Sequence, residues 1–110
     1  MIVTFQSKAS GDVIMFADVA HKMMEIMGKE AGDQGIVTVE QLPGALARLT
    51  AAVAADREAR QGRAEEDQPQ FELAPDGRRR PYVSLAQRAT PLIELLEWSL
   101  KKRVPVVWGV

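Results

Sequence analysis

The hydrophobic pattern divides the chain into five ordered stretches and one polar one. From Ile2 to Ser7, Val3 and Phe5 fall on one side and Ile2, Thr4 and Gln6 on the other. That two-residue period in β-branched and aromatic residues predicts a strand. Lys8 to Asp12 follow, with Ser10-Gly11 as the turn signal. The apolar run Val13 to Phe16 reads as the second strand of a hairpin, because Gly11 breaks the pattern and Ile2–Ser7 offers a partner. The start of a helix is the alternative.

Asp18 stands where a helix N-cap belongs, since its carboxylate can accept the free backbone N–H groups of the first turn. At about 100° per residue, Val19, Ala20, Met23, Met24, Ile26 and Met27 share one arc, and His21, Lys22 and Glu25 lie opposite. Gly28 suits the C-cap. Lys29 to Val37 reads as a loop. Thr38 and Gln41 have capping-box spacing, and Pro43 is uncomfortable deep inside a helix. The second helix therefore starts between Thr38 and Pro43, or kinks there. Leu42, Leu46, Leu49 and Val53 form its narrow seam, flanked by Ala45 and Ala52.

Asp56 to Arg80 changes character. It mixes Asp, Glu, Arg, Gln, Pro and Gly, with Phe71 and Leu73 as its sizeable apolar residues. Such a stretch cannot bury enough surface to offset its conformational entropy. Residues 58–81 are accordingly expected to form a mobile charged linker after a frayed helix end, with a local hairpin around Pro75-Asp76-Gly77 as the alternative. Ser84 with Gln87 is a second capping box. Leu85, Ala89, Leu92, Ile93, Leu96 and Leu100 then form one helix face, and Pro91 implies a kink or a second start at Thr90. Lys101, Lys102 and Arg103 suit a helix C-terminus. Val104 to Val110 is a final strand, placed at an edge because Pro105 lacks a donor.

A two-stranded ribbon is marginal alone, so the terminal strand is expected to complete the sheet. The expected fold is α+β. It has a three-stranded, mostly antiparallel sheet in the order β-β-α-α-α-β, the N-terminal strand in the centre and three helices on one face. Residues 1–110 are expected to form a single domain.

Composition narrows the function classes. A net charge of −1 argues against a general nucleic-acid binder, which needs a basic face to displace counterions. Zero cysteines remove disulfides, thiolate metal sites and a cysteine nucleophile. No apolar run approaches the roughly 20 residues that span a bilayer. MIVTFQSKAS lacks the basic-then-apolar order of a secretory signal, so no membrane association and a cytoplasmic location are expected.

Four segments carry a family resemblance. VTFQSKASGDVIMFADVA and TVEQLPGALARL, with VSLAQRATPLIELL and the closing VVWGV, resemble a bacterial family catalogued as domain of unknown function 1840. The likeness covers nearly the whole chain outside the linker. It implies a bacterial cytoplasmic protein and a variable charged stretch before VSL. It brings no activity, ligand or site residue.

Candidate chemistry is sparse. Asp18, His21 and Glu25 share one helix face, and imidazole with carboxylates would suit a divalent metal. The competing reading gives Asp18 to the N-cap and Glu25 to a solvated face. Met15, Met23, Met24 and Met27 could form an adaptable binding patch, but core packing explains them more simply. One histidine and no G-x-S-x-G leave a serine triad without support. Gly28, Gly32 and Gly35 lack the strand-to-helix order of a phosphate cradle. Arg78-Arg79-Arg80 follows Glu65, Glu66, Asp67, Glu72 and Asp76, which suits a solvated polyampholyte better than a nucleic-acid site. No cofactor is expected.

Trp98 lies off the apolar stripe, beside Glu94 and Gln87, and an exposed tryptophan is a frequent interface anchor. Cover by the linker or the sheet edge is the competing reading. Trp108 is expected in the sheet core. If helices cover one sheet face, Ile2, Ile14 and Phe16 crowd the other, which then wants a partner. The expected function is a small non-catalytic interaction or scaffold protein, bound to a protein partner or to further copies of itself. The alternative is a small ligand- or metal-binding protein, or a minor enzyme, using His21.

Overall fold

The structure, a computed structural model, describes residues 2–61, 71–73, 77–81 and 84–109. Their elements run β1 (Ile2–Ser7), β2 (Ser10–Phe16), α1 (Ala17–Ile26), β3 (Gly35–Val37), α2 (Leu42–Gln61), β4 (Phe71–Leu73), β5 (Arg79–Pro81), α3 (Leu85–Lys102) and β6 (Val106–Trp108). The fold is α+β, with three helices and a four-stranded antiparallel sheet of order β2-β1-β6-β3 among the described residues. The two ends of the chain meet in it, with Phe5 opposite Trp108 and Gln6 opposite Val107.

Two expectations about the sheet need correction. There are four strands rather than three, because Gly35–Val37, expected as loop, pairs with β6. The last strand is therefore internal rather than an edge. Pro105 precedes Val106, so its missing N–H falls outside the strand. The edges of this sheet are β2 and β3.

Alternation along the strands decides what is buried. Val3, Phe5, Met15, Val37, Val106 and Trp108 point inward and join the helix residues in one core. Met23, Met24, Leu42, Leu49, Leu92 and Leu96 are fully buried there. The indole of Trp108 lies against Phe5, with ring centroids 5.5 Å apart and planes tilted by 59°.

Helix ends follow the local chemistry with one exception. Thr38 and Gln41 form the expected box: Gln41 N–H donates to Thr38 Oγ1 at 3.3 Å, and Thr38 N–H donates to Gln41 Oε1 at 3.1 Å. Ser84 and Gln87 do the same at α3. In α1 the N-cap is Phe16, without a side-chain cap bond. Asp18 sits instead inside the first turn, where its charge still favours the helix dipole. The C-terminus of α1 closes on Gly28, at φ +84°, with Gly28 N–H donating to Glu25 O and Lys29 N–H to Met24 O.

Pro91 does not divide α3, which is continuous from Leu85 to Lys102. Its C-terminus uses the same closure, with Arg103 in the left-handed position at φ 55°. A non-glycine residue there costs about 1–2 kcal/mol. Arg103→Gly is expected to stabilise the protein by about 0.5 kcal/mol, after allowance for the greater chain entropy of glycine and the lost helix-end cation. A urea midpoint at or below that of the wild type would contradict this.

A relay of hydroxyls ties the first hairpin to α3. Ser99 Oγ–H donates to Leu95 O at 2.6 Å, so Ser7 must supply the proton of the 2.7 Å Ser7–Ser99 bond. Ala9 N–H in turn donates to Ser7 Oγ. This fixes the C-terminal half of α3 beside the β1–β2 turn.

Part of the expected 58–81 linker lies outside the described residues. Of the described part, 58–61 continue α2, and β4 pairs antiparallel with β5 as in the hairpin alternative.

Candidate interaction surface

The alternation that buries one face of the sheet turns the remaining strand residues to the other, which no helix among the described residues covers. On β1 the outward residues are Ile2, Thr4 and Gln6, and on β2 they include Ile14 and Phe16. The register sets Ile2 beside Phe16 and Thr4 beside Ile14. Across the sheet Gln6 is opposite Val107, and Val107 is opposite Ile36. Ile2 is 63% exposed, Ile14 64%, Phe16 49% and Ile36 42%. Each could have been covered by a helix at a gain of roughly 1.5–3 kcal/mol. No helix among the described residues does so.

Three expected interface residues, Ile2, Ile14 and Phe16, are thus brought together at one end of the sheet. Ile36 was missed because a three-residue strand is too short to display alternation. The β-branched pair Ile36-Val37, set between Gly35 and Thr38, was the available signal.

Trp98 is also exposed, at 47%, but lies on α3, away from the sheet residues. The ammonium of Lys101 stands over its ring, 5.2 Å from the centroid, within cation–π range. Glu94 and Glu97 complete this shallow charged depression.

A groove of about 500 Å³ follows the outer edge of β2. It runs from Ile14 and Phe16 on the bare face round to Gln87, Arg88 and Pro91 on α3, with Asp12 also in its wall. Its lining is predominantly apolar, with charged groups at the margins. That is the composition of a contact surface rather than of a reaction centre.

The proposed metal ligands do not converge on a shared site. Asp18 and Glu25 are exposed, while His21 is half-buried. Nε2 of His21 is shielded from solvent and has no hydrogen-bond partner among the described residues. Among the described residues no group of three or more His, Asp or Glu side chains could hold a metal ion. Met15, Met23, Met24 and Met27 are all buried in the core, as the simpler reading required. Arg78 is exposed, and the side chains of its two arginine neighbours lie outside the described residues. No helix among the described residues is long and apolar enough to cross a membrane.

Comparison with known proteins adds one match. The family model described as Domain of unknown function (DUF1840) matches residues 1–108 of the 110-residue chain. No curated protein and no solved structure matches.

Proposed function

The chain belongs to the DUF1840 family, and from that premise we propose that it is a small non-catalytic interaction protein that self-associates through the uncovered side of its sheet. One observation carries this reading. Ile2, Ile14, Phe16 and Ile36 stand out from a single sheet face, each between two-fifths and two-thirds exposed. Scattered surface hydrophobics need no explanation, but a cluster ordered by strand register does. Charged residues are scarce around it, since Thr4, Gln6 and Val107 fill the positions between. Depletion of charge with retention of large apolar groups is the compositional mark of an interface centre.

Light scattering across a concentration series tests the reading. The mass is expected to rise above the 12.1 kDa of one chain. Ile2→Lys and Ile14→Lys are each expected to return it to the monomer with little loss of folding stability, because both side chains are already exposed. A wild-type chain that stays monomeric at every concentration, and captures no partner when immobilised, would remove the proposal.

A further inference from the structure

We infer that two copies of this chain pack face to face through the sheet side that no helix among the described residues covers, with their strands crossed at about a right angle. The inference rests on the self-association just proposed and specifies its geometry.

The layout of the face carries it. Ile2, Ile14 and Phe16 gather where β1 and β2 pair as Ile2–Phe16 and Thr4–Ile14. Val107 and Ile36 sit on the other two strands, level with Gln6. With strands about 4.8 Å apart and about 3.4 Å per residue, the second group lies about 10 Å across the sheet from the first and about 11 Å along it. The apolar positions therefore follow a diagonal, at about 45° to the strands. Polar residues occupy the corners to either side of that line, Lys8 at one and Asp33 and Gln34 at the other. Lys8 shares a shallow depression with Gln6, Pro105 and Val107. Asp33 and Gln34 lie against Gly109, and the register sets Gln34 level with Thr4.

Two faces in a symmetric pair meet about a two-fold axis that lies between them. An axis along the strands would set Ile14 over Gln34 of the other copy. An axis straight across the strands would set Ile2 over the other Lys8. Neither keeps the apolar area together. An axis along the diagonal sets Phe16 over its own counterpart, Ile2 over Ile14, and Val107 over Val107. Rotation about a line at about 45° to the strands turns them through about 90°, one of the two angles at which sheets pack.

The same rotation supplies charge complementarity. It carries Lys8 of one copy to the Asp33 corner of the other, and symmetry makes the contact twice. Both residues are exposed. Four strands with about three outward positions each give a face of roughly 400 Å². That is about half of what one partner contributes to a standard interface. The pair is therefore weak and concentration-dependent, and the rim charges fix its angle more than its strength.

Carbodiimide coupling of mixed isotopically light and heavy chains tests the geometry. Lys8 and Asp33 are about 20 Å apart within one chain, too far for this zero-length reagent. A Lys8–Asp33 amide joining a light chain to a heavy one is therefore expected from the crossed arrangement. Lys8→Glu and Asp33→Lys are each expected to weaken the dimer about three- to tenfold, and the double variant to restore most of the affinity. Circular dichroism checks that each variant keeps its fold. The mixed-isotope link together with rescue in the double variant supports the crossed packing. If Ile14→Lys dissolves the dimer but no such link forms, or the charge effects simply add, the crossed packing is overturned and the self-association stands. A chain monomeric at every concentration overturns both.

Discussion

Gly35→Ala is expected to cost about 2–3 kcal/mol of folding stability, although it adds a single methyl group. The added carbon would fall inside the indole of Trp108, 2.6 Å from Cε2 and 2.8 Å from Cη2. The register explains the crowding: Gly35 is the direct partner of Trp108 across β3 and β6. The ring is rigid, 1% exposed and packed on Phe5, so it has nowhere to move. Trp108→Ala alone should cost about 3–5 kcal/mol by opening a cavity. With the indole gone, Gly35→Ala should become nearly neutral, since its backbone is not in the left-handed region. Urea unfolding of the four proteins in this cycle measures the coupling. Costs that simply add would show that the ring is not what excludes a side chain at position 35.

Gly109→Ala is expected to be comparably damaging, at about 2–4 kcal/mol, for a different reason. Gly109 has φ +70°, and a Cβ there would run into the carbonyl of Asp33, lying 2.8 Å from its carbon and 2.9 Å from Gln34 Cα. These are backbone atoms, and they cannot rotate aside. Relief requires β3 and β6 to separate, so amides of residues 35–37 and 106–108 should lose hydrogen-exchange protection first. Gly11 provides the control, because a Cβ at that position meets nothing within 4 Å. Gly11→Ala should leave stability unchanged or slightly raised. A Gly109→Ala chain with wild-type unfolding and intact protection at those amides would rule out the close approach as a constraint.

The two positions show why the sheet was only partly legible in the sequence. In the sequence Gly35 falls within Lys29 to Val37, which reads as a loop. Its actual role is to accept a tryptophan 73 residues further along the chain. Nothing local signals such a demand, because the constraint belongs to the pairing of two distant segments. The same holds for Pro105. Its missing donor points to an edge strand, whereas Pro105 lies just before β6 and that strand is flanked on both sides.

The interaction surface was more legible than the strand count. Ile2, Ile14 and Phe16 were separable from Val3, Phe5 and Met15 by alternation alone, and the structure exposes the first set and buries the second. Asp18 was misplaced by one turn boundary, because a carboxylate suits both the N-cap and the first turn.

By itself the sequence determined the α+β class, the apolar faces of the helices, two of the capping boxes and the burial of Trp108. These follow from periodicity and from hydrogen bonds spanning three or four residues, which short-range chemistry sets. The tertiary structure alone decided that β3 exists, that β6 lies between β1 and β3, and which face of the sheet the described helices cover. Strand order and cover depend on contacts between residues far apart in sequence, where the free energy of pairing resides in no single segment.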